Sequence, residues 1–135
     1  MSDYRLDDQI GYKLRLASQR HLEIFTGLLP DLTPTQFSTL VRLREHGALS
    51  QNHLGRLAAM DAATTKGVVD RLREKGLVET ARSETDRRRL DVALTPAGAA
   101  ALDAAIPRAE EITRRTGAAL SAADLATLLR LLDAL

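Results

Sequence analysis

Asp86 is followed at once by Arg87, Arg88 and Arg89, and a further arginine, Arg82, lies just upstream. Guanidinium groups massed beside one carboxylate, in a stretch from Arg82 to Arg89 that has no apolar residue, suit contact with phosphate oxygens and negatively charged grooves. The flanking runs Leu77-Val78-Glu79-Thr80-Ala81 and Leu90-Asp91-Val92-Ala93-Leu94 have a period of two, which predicts a pair of strands. The arginines therefore sit on a two-stranded ribbon, placed to enter a nucleic-acid groove rather than to support a core.

The side chains that could do other chemistry are not arranged for it. The histidines at 21, 46 and 53 lack metal-ligand spacing, and the chain has no cysteine. There is no glycine-rich phosphate loop, nucleophile elbow or isolated carboxylate pair, so neither catalysis, a cofactor nor a metal is expected.

Composition narrows the partner. The chain has 135 residues with 44% hydrophobic content, enough for a single module. A net charge of +1 means that nucleic-acid affinity must come from local placement of charge. Aromatic content is only 3%, too little for the stacking platforms of single-strand binders, which favours double-stranded DNA. The absence of cysteine fits a reducing compartment. The N-terminal stretch is acidic and polar, and no apolar run approaches the roughly 18 residues of a membrane span, so the cytoplasm is expected and a membrane partner is not.

The elements around the arginines are mainly helical. Apolar residues at Leu6, Ile10, Leu14, Ala17, Ile24, Phe25 and Leu28 predict a helix over 6–29, with Tyr12, Leu16 and Leu22 as a second apolar flank. Thr33-Pro34-Thr35-Gln36 reads as a capping box that opens a second helix, ended by His46-Gly47. Ser50 caps a short third helix, Asp61 caps a fourth that runs to Lys75, and Gly76 stops it. The two short helices meet around Met60 with helix-turn-helix spacing, and the ribbon that follows is a wing. Thr95-Pro96 opens a fifth helix with the stripe Leu102, Ile106, Ala109 and Ile112, and Ser121 caps a sixth that is apolar to Leu135. The predicted fold is thus mainly α: a winged helix-turn-helix with a two-stranded wing over 33–95, flanked by helices over 6–29 and 96–135. Those flanking helices carry more apolar surface than one subunit needs, and their simplest use is a homodimer interface.

On the fourth helix Thr65, Val68, Val69 and Leu72 share one side. Ala63, Lys66, Gly67 and Asp70 lie opposite, with Thr64 and Arg71 on the flanks. An outer face of small and polar residues lets a helix approach base edges in the major groove.

These features together resemble the MarR family of transcriptional regulators. The family's wing signature, Asp-x-Arg followed by five residues and Leu-Thr, is matched by Asp86, Arg88, Leu94 and Thr95. The segment Val69-Asp70-Arg71-Leu72-Arg73-Glu74-Lys75-Gly76-Leu77-Val78 is similar to the family's recognition-helix end, and the order of elements matches from Leu6 to Leu135. The resemblance implies a homodimer that binds a palindromic operator and represses nearby genes. It makes Arg88 the minor-groove arginine and Asp86 the carboxylate that orients it, with Arg82, Arg87 and Arg89 as supporting phosphate contacts. Ala63, Thr64, Lys66, Gly67 and Arg71 would face the major groove, and Ser50 and Gln51 the DNA backbone. Thr65 departs from the Val or Ile common at its position, and its hydroxyl is expected to bond the carbonyl one turn back.

The segments Gly11–His21, Leu32–Phe37 and Ser50–Arg56 resemble a branch of the family tied to aromatic-acid catabolism. That implies a small aromatic acid as effector, with Arg20, His21, Gln36, Phe37 and His53 as candidate ligand-binding residues. The alternative for His21 is a core or interface histidine satisfied by hydrogen bonds. The alternative for the whole chain is a winged helix used as a protein-interaction module, without specific DNA binding or ligand sensing.

Overall fold

The computed structural model describes residues 2–135. Six α-helices are found among them: α1 (Ile10–Leu28), α2 (Pro34–His46), α3 (Gln51–Leu57), α4 (Ala62–Glu74), α5 (Pro96–Thr116) and α6 (Ala122–Asp133). The strands are β1 (Leu49–Ser50), β2 (Val78–Arg82) and β3 (Leu90–Leu94), in the antiparallel order β1-β3-β2.

Caps account for most of the boundaries. Thr33 Oγ1 accepts the Gln36 N–H while Gln36 Oε1 accepts the Thr33 N–H, which completes the expected capping box of α2. Ser50, Asp61 and Ser121 each accept the backbone N–H three residues on, at 3.1, 2.7 and 3.1 Å, and so start α3, α4 and α6. The expected start of the first helix is corrected. Leu6–Asp8 form a short 3-10 turn, and extended Gln9, whose N–H bonds the Leu6 carbonyl, separates it from α1. The apolar periodicity passes straight through this break, so spacing could not reveal it. The sheet also exceeds the expected two-stranded ribbon, because Leu49 and Ser50 pair with Val92 and Asp91 on β3. Two residues are too few to show an alternating pattern.

The chain forms two compact units that share α5 and divide at Pro107. One unit, residues 31–107, holds the core: Leu40 and Leu43 of α2, Leu54 of α3, Val68, Val69 and Leu72 of α4, Val78 and Val92 of the wing, and Leu102 of α5. Helix stripes and strand faces that sequence periodicity assigns inward thus meet in one cluster. The other unit runs to Pro30 and resumes at Arg108, whose Nη1 donates to the Leu28 carbonyl at 3.1 Å. No residue of α6 is buried, and Leu128, Leu129, Leu131 and Leu132 are exposed, as are Ile10, Leu14 and Leu22 of α1. Among the described residues, no helix is long and apolar enough to cross a membrane.

Thr95 joins the wing to α5. Its hydroxyl donates to the Gly76 carbonyl at 2.6 Å and accepts the Gly98 N–H at 3.0 Å. Thr95→Ala is expected to cost about 1–2 kcal/mol in chemical denaturation, because it removes a helix cap and leaves a carbonyl without its partner.

Candidate nucleic-acid interface

The recognition helix, α4, is anchored at its N-terminal end. Asp61 caps it, and the hydrogen bonds from Thr64 keep the Asp61 carboxyl below the usual carboxylate range, the backbone N–H contributing most. A folded pKa below the unfolded one stabilises at neutral pH, and that contribution is lost as pH falls through the carboxylate range. The Thr65 hydroxyl donates to the Asp61 carbonyl at 2.7 Å, as expected for a buried threonine in a helix. Thr65 also sets how closely α3 approaches. A β-carbon on Gly55 would lie 2.6 Å from Thr65 Oγ1, so only glycine allows the two helices this spacing. Gly55 was not singled out from the sequence, since a glycine within a short helix carries no local signal of a close crossing.

Thr65, Val68, Val69 and Leu72 are buried, as the helical period requires. Ala63, Thr64, Lys66 and Arg71 are exposed, and Gly67 is half-buried. The Arg71 guanidinium extends back over Gly67, 3.1 Å from the place a β-carbon would take. Ser50 and Gln51 are half-buried at the start of α3.

The wing tip is a tight turn built on its own side chains. The Arg89 N–H bonds the Asp86 carbonyl at 2.9 Å, which closes a turn with Arg87 and Arg88 at its two corners. Asp86 Oδ1 accepts the backbone N–H of Arg88 at 3.0 Å, an Asx turn that presets this conformation. Buried Ser83 supports it from below, its Oγ accepting the N–H groups of Thr85 and Asp86 at 3.3 Å each. Asp86 thus meets Arg88 through the main chain, and no pair between its carboxylate and the Arg88 guanidinium forms.

The arginines divide into two sets. Arg89 Nε bonds Asp91 Oδ1 at 2.8 Å, and that pairing raises the pKa of Arg89. Arg82 Nη1 donates to the Arg87 carbonyl at 3.2 Å. Arg87 and Arg88 are exposed, and among the described residues their guanidinium groups have no partner. They stand free for an external anion.

The candidate ligand residues fall in both units. On α1, Arg20 Nη2 donates to the Arg115 carbonyl at 3.2 Å, and half-buried His21 has Nδ1 3.0 Å from Thr116 Oγ1 with its ring tilted against Phe25. In the other unit, Gln36 is buried and its Oε1 is engaged by Thr33 and by Lys75 Nζ. Phe37 is half-buried against the core, and His53 is exposed on α3. Among the described residues, no cluster of three or more His, Asp or Glu side chains could hold a metal ion.

A helix-turn-helix formed by α3 and α4 and followed by a basic two-stranded wing defines a winged helix-turn-helix DNA-binding protein. The MarR family profile matches residues 32–90. The HTH-type transcriptional repressor NicR of Pseudomonas putida is 43% identical over 131 residues, which span 96% of this chain and 83% of NicR. A probable transcriptional regulator from Pseudomonas aeruginosa superposes with a TM-score of 0.93 at 52% identity, covering 96% of this chain and 98% of its own. BpsR of Bordetella bronchiseptica, whose DNA binding is regulated by 6-hydroxynicotinic acid, superposes with a TM-score of 0.94 at 37% identity, covering 98% and 96%. The chain belongs to the MarR family, and as such it is a DNA-binding transcriptional regulator and not an enzyme.

Proposed function

We propose that this chain is a cytoplasmic repressor that binds a palindromic operator as a homodimer and releases it when a small aromatic acid binds. The observation that carries the reading is the wing tip, where an Asx turn presents the unpaired Arg87 and Arg88, in a chain whose recognition helix α4 has a small and polar outer face. Residues 33–95 form the DNA-binding part. Residues 6–29 and 96–135 form the dimer interface, a role supported by the exposed leucines of α6 and the apolar flank of α1. Two-fold symmetry would set the paired recognition helices about one DNA turn apart.

In this reading Arg88 enters the minor groove, Arg87 binds phosphate, and Arg82 and Arg89 assist from their existing hydrogen bonds. Ala63, Thr64, Lys66, Gly67 and Arg71 face the major groove, while Ser50 and Gln51 meet the backbone. For the effector, the regulation of BpsR by 6-hydroxynicotinic acid supports a hydroxylated aromatic or heteroaromatic carboxylic acid. Arg20 is the cation for its carboxylate and His21 the group that reads a ring hydroxyl. Gln36, whose Oε1 is engaged by Thr33 and Lys75, holds the start of α2 in place.

The test is a thermal-shift screen of the purified chain with 6-hydroxynicotinic, nicotinic, benzoic and 4-hydroxybenzoic acids. An acid present at about 100 times its dissociation constant is expected to add about 2.7 kcal/mol of stability, and the same acid should release a bound duplex. If none shifts the melting transition while DNA still binds, the chain is a regulator without this class of effector.

A further inference from the structure

Lys66 and Asp70 stand one turn apart on the outer side of α4, with Lys66 Nζ 2.8 Å from Asp70 Oδ2. The second carboxylate oxygen accepts from Arg73 Nη2 at 3.4 Å, and Arg73 Nη1 donates to Thr80 Oγ1 on β2 at 3.2 Å. A continuous chain of contacts thus runs from the middle of the recognition helix to the first strand of the wing. Its centre is a carboxylate on the surface that meets a polyanion. An uncommitted aspartate there could accept from a cytosine amino group, but both oxygens of Asp70 are already taken by cations. The hydrogen bond from Lys66, together with the charges of Lys66, Arg73 and Arg71, keeps its carboxyl below the usual range, so it is ionised at neutral pH.

We propose that Asp70 is a specificity-determining residue that acts by positioning: it withholds Lys66 and Arg73 from indiscriminate phosphate contact and directs Lys66 into the groove. The inference rests on the DNA-binding reading above. Non-specific affinity comes almost wholly from neutralised phosphates, so any cation free to swing raises it on every sequence. A cation held by a neighbouring carboxylate must first break that pair. At the matching site the docked helix sets Lys66's direction, and the pair restrains it there at little loss.

The measurement is anisotropy of the full chain, between about 50 and 200 mM salt, on two duplexes. One is enriched from a random pool by the wild-type chain, and the other is a scrambled sequence of the same composition. Asp70→Asn is expected to tighten the scrambled duplex roughly tenfold and to steepen its log–log salt slope by about 0.9 per cation released. The enriched duplex should gain less, so the ratio of the two affinities falls by about fivefold or more. Asp70→Glu keeps the charge and should keep the wild-type ratio. Adding Lys66→Met to Asp70→Asn should remove the share of that gain carried by Lys66, and adding Arg73→Met as well should abolish it.

An unchanged ratio in Asp70→Asn, with a melting curve like that of the wild type, overturns the proposal. So does a gain that survives the loss of both Lys66 and Arg73, since it would then reflect the removed charge of Asp70 alone. If the wild-type chain enriches no duplex, the DNA-binding reading itself fails and the inference falls with it.

Discussion

Arg88→Ala is expected to weaken binding to an enriched duplex by about 100-fold, the largest functional effect of any single substitution in the wing. Each groove arginine contributes about 1–3 kcal/mol, and a homodimer loses two of them at once. Every 1.4 kcal/mol is a factor of ten, so two arginines at about 1.4 kcal/mol each give two orders of magnitude, and the low end of the range gives about 30-fold. The salt slope should become shallower by about 1.8, from two phosphate-level contacts at roughly 0.9 each. Arg89→Ala is the matched comparison. Its guanidinium is held by Asp91 at 2.8 Å, so its removal should cost less than about fivefold, in the range of an exposed pair. Equal losses for the two variants would show that the turn at Asp86 does not select which arginine reaches DNA. A chain whose duplex binding has no salt dependence at all would instead be the protein-interaction module.

Gly98→Ala is expected to destabilise the protein by about 3 kcal/mol, the upper part of the usual range for overpacking. A β-carbon at Gly98 would lie 1.9 Å from the Leu77 carbonyl oxygen and 2.9 Å from its carbon. Both atoms are backbone and cannot swing aside. That carbonyl also accepts the Thr95 N–H at 3.2 Å, and the Leu77 N–H bonds the Leu72 carbonyl at 2.9 Å. Making room therefore means moving the root of the wing away from the end of the recognition helix or from the first turn of α5. Glycine-to-alanine changes in open helical positions behave oppositely. Gly27 on α1 has nothing within 4 Å of a β-carbon, and Gly27→Ala should be neutral or stabilise by up to about 1 kcal/mol. Urea denaturation of both variants gives the comparison, and a Gly98→Ala protein as stable as the wild type would contradict the close approach.

Much of the fold was legible because its signals are local. Thr33, Ser50, Asp61, Thr95 and Ser121 each bond a backbone N–H three residues away, so residue type and spacing suffice to find five helix starts. The buried side of α4 follows from the period of 3.6 alone, and the two wing strands follow from alternation, whereas their register, Val78 with Leu94 and Thr80 with Val92, came only with the folded chain. The break at Gln9 and the strand β1 were not legible, since each is too short to disturb or create a period.

The limits at the candidate interface have the same origin. Four arginines in one loop announce a basic wing, but their charges are identical along the chain. Which of them is free depends on Asp91 holding Arg89, on the Arg87 carbonyl receiving Arg82, and on Asp86 folding back onto the Arg88 N–H. Caps and periodic faces thus sufficed for the helices and the wing, because they act over one turn, and the resemblance of the wing motif and the helix end to a known family supplied the kind of protein. The spacing of α3 and α4 at Gly55 and Thr65, the seat of the wing on Gly98 and the division of the cations required the folded chain. Those features rest on atoms that meet across strands and helices, and neighbouring residues in the sequence carry no record of such distances.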